Sequence, residues 1–221
     1  MRFRDRTDAG RRLAERLGEY AGRSDVLVLG LPRGGVPVAA EIAERLDAPL
    51  DVWVVRKLGV PGYPELAMGA IAAGGTQVLS RELIESLHIS DAQIEQVSIR
   101  ERAELERRIR VFGGGRYVSD IRGRIVILVD DGLATGATLE AAILAVRQLE
   151  PSAIVAAVPV GARESCARIA ALADRLVCVE TPALFRAVGQ WYEDFSETSD
   201  DEVRRLLDAA RERSAGSAAT R

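Results

Sequence analysis

Two adjacent carboxylates, Asp130 and Asp131, close an uninterrupted apolar run from Ile125 to Val129, and a short way on the chain reads Thr135-Gly136-Ala137-Thr138. Side-by-side acids suit a vicinal diol or a hard divalent cation. A glycine turn flanked by hydroxyls and opening a helix suits a phosphate, because the first N–H groups of a helix lack intrahelical partners and its dipole is positive there. A ligand with a phosphate at one end and sugar hydroxyls beside it would satisfy both halves. The elements that must hold these groups lie on either side of them. The run 125–129 is short and β-branched, which predicts a strand buried on both faces of a parallel sheet. Apolar periodicity from Ala137 to Leu149 predicts a helix. The competing reading is a plain α/β crossover whose acids only cap a helix; an acid pair or a Thr-Gly-x-Thr turn alone would not separate the two.

A second turn of similar character follows an earlier strand. Val26 to Leu29 runs into Leu31-Pro32-Arg33-Gly34-Gly35-Val36, which opens a helix to about Leu46. Gly34 and Gly35 would let an anion come close to the main chain, and Arg33 would offer it a fork of donors; the alternative is a helix-entry turn with a solvated arginine. A third segment, Arg56-Lys57, follows a strand predicted over Leu50–Val55. Cations fixed there would stabilise a leaving group that gains negative charge, or are ordinary strand-end charges. Strands alternating with helices predict a parallel sheet with right-handed crossovers. Ligands of such sheets bind beyond the carboxyl ends of the strands, where all three segments fall.

These residues resemble the type I phosphoribosyltransferases. V-I-L-V-D-D-G-L-A-T-G-A-T, Val126 to Thr138, is similar to that family's phosphoribosyl-pyrophosphate (PRPP) motif. The resemblance implies Mg2+-dependent transfer of 5-phosphoribose from PRPP to a nitrogen of a nucleobase-like acceptor, with release of pyrophosphate. It implies that Asp130 and Asp131 hold the ribose hydroxyls, directly or through Mg2+. Ala134, Thr135, Gly136, Ala137 and Thr138 would then cradle the 5′-phosphate. Arg33, Gly34, Gly35 and Arg56 would take the pyrophosphate, with Lys57 as a catalytic cation. Members often carry a non-proline cis peptide in the pyrophosphate loop, which would fall here at Pro32–Arg33 or Arg33–Gly34. The resemblance covers about 24–60 and 123–182. Hypoxanthine–guanine-type members have an acid at the place of Ala134; the wording L-A-T-G-x-T is closer to adenine-type members, whose pattern the region after Gly62 does not follow. P-R-G-G-V-P-V-A, V-R-K-L-G-V-P-G-x-P-E-L-A-x-G-A-I and F-x-A-V-G-x-W-Y-x-D-F together resemble a bacterial group of unassigned acceptor.

The remaining segments frame this core. Leu13, Leu17 and Tyr20 predict an amphipathic helix over 7–20. Gly59 to Pro64 reads as a Gly/Pro-rich loop that would close over the site, with Glu65 beyond it as a general base, a metal-sphere ligand or a solvated acid. Met68–Ala73 and Thr76–Leu79, joined by Gly74-Gly75, predict a hairpin. Ser90 to Phe112 predicts a long charged helix with a capping box at Ser90–Gln93 and i,i+4 pairs Glu104/Arg108 and Glu106/Arg110, ended by Gly113-Gly114-Gly115. Four of the ten aromatics lie between Pro182 and Phe195. There Phe185, Trp191 and Tyr192 would either stack a nucleobase or pack the final helix, Asp200 to Arg211. The expected architecture is a doubly wound α/β sheet of about five parallel strands in one domain, 1–212. An inserted hairpin-plus-helix segment would lie near 63–120, a C-terminal hood near 182–212 and a disordered tail at 213–221.

Composition narrows the function classes. The 221 residues are 48% hydrophobic and 29% charged, typical of a globular domain. A net charge of -3 provides no global field for nucleic acid. No run is long and apolar enough to span a bilayer, and M-R-F-R-D-R-T-D has no secretory h-region. Cys166 and Cys178 stand outside metal-like and redox spacings and read as reduced thiols. These features predict a cytoplasmic small-molecule enzyme, with a homodimer as an expectation by analogy. Two rivals use the same motifs: a phosphohydrolase or phosphorylase of ribose phosphates or nucleotides, and a non-catalytic PRPP sensor.

Overall fold

The chain runs α1 (Arg6–Glu15), β1 (Val26–Gly30), α2 (Gly35–Leu46), β2 (Leu50–Val52), β3 (Val55–Val60), β4 (Tyr63–Ala72), β5 (Gln77–Leu79), α3 (Arg81–Ser86), α4 (Asp91–Phe112), β6 (Ile125–Val129), α5 (Ala137–Arg147), β7 (Ala153–Val160), α6 (Arg163–Leu172), β8 (Arg175–Glu180) and α7 (Asp200–Ala219). This computed structural model describes residues 2–112 and 121–219, with Glu65 and 216–219 described in their backbone alone. The glycine stop expected at 113–115 lies outside the described residues.

Five strands form one parallel sheet in the order β2-β1-β6-β7-β8. Successive side chains of a strand point to opposite faces, and here each face has its own helical layer. Val26, Val28, Ile125, Ile127, Val129, Val155 and Ala157 join a core with residues of α1, α2 and α7. Leu27, Leu29, Val126, Leu128, Ile154, Ala156 and Val158 join a second core with α5 and α6. That is why β1 and β6 are buried at every position and carry no polar residue. Cys166 and Cys178 are unbridged, on α6 and β8.

The strand order reverses between β1 and β6. From β1 the chain crosses through α2 to β2; from β6 it crosses through α5 to β7, away to the other side. The loops leaving the two adjacent carboxyl ends therefore part and leave a crevice between them. Both chemically pointed segments, 31–35 and 130–138, begin there.

The second sheet departs from expectation. The strand predicted over 50–55 ends at Val52, and Arg56 and Lys57 lie inside β3 rather than in a strand-end turn. β3, β4 and β5 form an antiparallel sheet, so the inserted segment begins near 55 rather than 63. Gly59 to Pro64 is a β-hairpin, not a free loop: Val60 pairs with Tyr63 around a turn in which Gly62 has φ +82°. The register shifts at Leu58/Gly59 and Gly59/Val60, where a Cβ on Gly59 would lie 2.7 Å from the Pro64 carbonyl oxygen. Gly59 thus admits a proline-bearing strand that a larger residue would push away. The hairpin expected at 68–79 is present as β4 and β5. The capping box at Ser90–Gln93 and both i,i+4 pairs of α4 form as read. The tail expected to be disordered from 213 continues α7 as helix to Ala219.

Candidate active site

At the crevice the two loops touch. The Leu31 N–H donates to the Val129 carbonyl at 2.8 Å, extending the β1–β6 ladder by one residue. The peptide between Pro32 and Arg33 is cis, at the first of the two bonds expected. Gly34 and Gly35 then press against the other loop. A Cβ on Gly35 would fall 2.5 Å from the Val129 carbonyl oxygen and 2.9 Å from the Asp130 Cα; one on Gly34 would fall 1.9 Å from Asp131 Oδ2. These glycines are required by close approach, since neither needs a positive φ.

The acid pair sits half-buried at the end of β6. Burial, then the neighbouring Asp131, pushes the Asp130 carboxyl well above the ordinary carboxylate range. Burial raises Asp131 too, but Arg6 opposes the rise. Arg6, at the start of α1, places Nε and Nη2 each 2.8 Å from Asp131 Oδ2. The Tyr192 hydroxyl donates to the Asp131 carbonyl at 2.6 Å. Two adjacent carboxylates with a single arginine beside them suit a hard cation that keeps waters and draws further oxygens from substrate, which is how Mg2+ is usually held. No group of three or more metal-ligating side chains occurs among the described residues, so a cation here would depend on substrate oxygens.

The loop after the acids turns through Gly136 at φ +79°, a conformation open to glycine, and delivers α5 with no side-chain cap. Among the described residues the Ala137 N–H meets only Thr135 Oγ1, at 3.5 Å. The loop is braced from behind by α6, which sequence reasoning did not foresee. Ser165 Oγ donates to the Ala134 carbonyl at 2.6 Å and Arg168 Nη2 to the Thr135 carbonyl at 2.6 Å. With its carbonyls tied back, the loop turns its N–H groups the other way.

The facing cleft, about 1110 Å³, is bounded by Pro32, by Thr135, Ala137 and Thr138, by the β3–β4 hairpin and by α4. Arg56 and Lys57 reach it from β3. Arg56 lies against Glu101 of α4, with Nε and Nη2 at 3.0 and 2.7 Å from Oε2, and Arg100 holds the other oxygen at 3.1 Å. Arg33 does not point at the cleft. Its guanidinium pairs with Glu197 and lies 3.6 Å from Asp200, so it would have to leave these acids to reach a pyrophosphate. Phe185 and Trp191, both partly buried, pack with Phe3, Val160 and Tyr192 and are not among the residues lining the cleft. The Glu65 side chain lies outside the described residues, although its backbone is part of β4.

A family model described as phosphoribosyl transferase domain matches residues 4–195. Two Mycobacterium tuberculosis proteins, from strains H37Rv and CDC 1551, are provisionally named phosphoribosyl transferases. Each is 52% identical over 208 residues, covering 94% of this chain and 47% of the relative, so the chain spans about half the length of those proteins. The crystal structure of a protein from Thermus thermophilus is 45% identical, with a TM-score of 0.83, over 94% of this chain and 98% of that one.

Proposed function

This chain belongs to the phosphoribosyl transferase domain family, and from that membership we propose that it moves 5-phosphoribose from PRPP to a ring nitrogen of a small nucleobase-like acceptor, releasing pyrophosphate. The observation that supports this best is the convergence at one topological switch point of an acid pair, a braced glycine turn at a helix N-terminus and a second glycine turn pressed against the end of β6. In this reading Asp130 and Asp131 accept the ribose hydroxyls. The N–H groups opening α5 and the hydroxyls of Thr135 and Thr138 take the 5′-phosphate. Gly34 and Gly35 leave room for pyrophosphate beside the backbone, and Lys57 stands across the cleft as a cation for the departing charge. Asp130 and Asp131 are the residues that would hold Mg2+, which would supply charge neutralisation for the bound donor. The rest of catalysis is positioning, since an oxocarbenium-like state at C1 needs no covalent partner from the protein. The β3–β4 hairpin, in place of the loop expected there, is the element available to keep water from the donor. The proposal includes a cytoplasmic setting and leaves nucleic acid out of the ligand set, in keeping with the net charge of -3.

Calorimetric titration with PRPP and Mg2+ tests this reading. Micromolar binding that disappears in Asp130→Asn/Asp131→Asn supports the donor site and justifies screening nucleobases for pyrophosphate release. Absence of binding to folded wild type overturns it, and turnover of PRPP or a nucleotide with no acceptor added would favour a hydrolase instead. The α6 brace makes a smaller prediction. Ser165→Ala removes one hydrogen bond worth about 1 kcal/mol and should raise the KM for PRPP roughly fivefold with kcat little changed. Equal losses in kcat and kcat/KM would show that Ser165 acts only in the transition state.

A further inference from the structure

Asp131 is held from a part of the chain far from its own loop. The Phe3 N–H donates to the Trp191 carbonyl, the Glu193 N–H to the Phe3 carbonyl and the Asp194 N–H to the Arg4 carbonyl, each at 2.8 Å. This short bridge straps residues 3–4 to the segment 191–194, and Phe3 is fully buried beneath it against the Tyr192 ring. Asp5 then caps α1, its Oδ1 accepting the Asp8 N–H at 2.7 Å, which sets the direction of the first helical turn. Arg6 leaves that turn with its guanidinium 4.1 Å from the Phe195 ring centre and donates to the Ser196 carbonyl at 2.7 Å. Its two remaining nitrogens, Nε and Nη2, converge on Asp131 Oδ2. The side chains are 12% and 16% exposed, so the pair is shielded, and Asp131 Oδ2 rests against Gly34.

We propose that Arg6 is a positioning residue for phosphoribosyl transfer: it wedges the Asp131 carboxylate against the Gly34 turn, setting the diol-binding acids and the pyrophosphate turn at a fixed spacing before the donor arrives. The inference rests on the PRPP reading above. A carboxylate already confined loses little rotamer freedom when it takes a ligand. A guanidinium gripping one oxygen also tempers repulsion between Asp131 and an anionic donor, and only an arginine can do both while stacked on Phe195.

The test uses Arg6→Ala and Arg6→Lys in the full chain, with PRPP titration, steady-state kinetics, thermal melts and amide hydrogen exchange without ligand. Outer ligands of this kind are typically worth roughly 10–100-fold. The expected result is a loss of that size in PRPP affinity for Arg6→Ala, mainly in KM, with partial recovery in Arg6→Lys and further recovery of Arg6→Ala on adding millimolar methylguanidinium. Wild-type affinity in Arg6→Ala would overturn the inference. So would a loss that tracks a fall in melting temperature and that neither lysine nor methylguanidinium restores, because Arg6 would then be only a staple for the strap. Should wild type bind no PRPP, the functional reading fails and the role of Arg6 in transfer with it, and exchange then decides only whether Arg6 wedges the two turns. Faster exchange at 34–35 and 130–136 in Arg6→Ala supports the wedge, and unchanged exchange removes it.

Discussion

Asp130→Asn is expected to melt above the wild type while losing PRPP, whereas Asp131→Asn is expected to lose both stability and PRPP. The neighbours differ in what opposes their burial. The Asp130 carboxyl is raised well above the ordinary carboxylate range by burial first and by Asp131 second. A native state that holds a proton more tightly than the unfolded chain loses stability as pH rises from the unfolded value, about 3.9, through the native one. Ionised Asp130 is therefore a cost in the ligand-free protein at neutral pH, and asparagine removes it, with roughly 2–4 °C gained per kcal/mol. The wild type should accordingly gain on the variant as pH is lowered, and their melting curves should approach each other. Asp131→Asn instead takes the counter-charge from the guanidinium of Arg6, 12% exposed, and weakening hydrogen bonds to a charged group costs about 1.5–3 kcal/mol. Either change removes an ionised acceptor for the ribose hydroxyls, worth about 1.5–3 kcal/mol, or roughly 10–100-fold in affinity. A melting temperature for Asp130→Asn below the wild type would show that the charge is stabilised by something other than its visible neighbours.

Gly35→Ala carries the second large effect. Its methyl would meet the Val129 oxygen at 2.5 Å and the Asp130 Cα at 2.9 Å, both main-chain atoms of a central strand that cannot rotate away. Comfortable carbon contacts are about 3.5–4.0 Å, so α2 or the end of β6 must shift by about 1 Å. Overpacking of this kind costs about 1–3 kcal/mol. Because the displaced strand end carries the acid pair, a shift of about 1 Å should reduce kcat/KM roughly 100-fold. Gly34→Ala provides the contrast, since its methyl would meet side-chain atoms, those of Asp131 and the Arg6 Nε, and so would disturb the Arg6–Asp131 pair rather than the strand. It should stay closer to wild type in stability while losing PRPP affinity. Thermal melts and initial rates on the two variants separate the cases; a Gly35→Ala protein with wild-type melting and turnover would mean that the close approach is dispensable.

What the sequence disclosed is what local order can carry. Ile125 to Thr138 was legible because strand, turn and helix follow one another without interruption, and each announces itself by periodicity or by glycine. The cis bond fell where the resemblance put it. Arg6 was invisible because its partner is 125 residues away, and nothing in M-R-F-R-D-R separates a buried arginine from its solvated neighbours. Ser165 and Arg168 were hidden for the same reason: a helix following β7 has no local mark of which loop it braces. The stretch 55–64 misled in the opposite sense. Pro61, Pro64, Gly59 and Gly62 argue for a loop, yet the irregular register at 58–60 lets those residues sit in a hairpin. Arg33 has the right type and place for an anion, but the acids at Glu197 and Asp200 that claim it belong to a segment whose position no local pattern specifies.

The strap of Phe3 and Arg4 onto Trp191–Asp194 also bears on the order of synthesis. Arg6 and Ser196, bonded to each other, are 190 residues apart, so at about 5–20 residues/s roughly 10–40 s separate their emergence from the ribosome. Throughout that interval the crevice between β1 and β6 can form, but Arg6 lacks its cover and the apolar ring of Phe3 has no burial site. The nascent chain thus carries Phe3 without this cover until the segment 191–194 arrives. A ribosome-stalled chain ending at about residue 185 should present residues 3–6 open to protease, while one extended past 200 and clear of the exit tunnel should not.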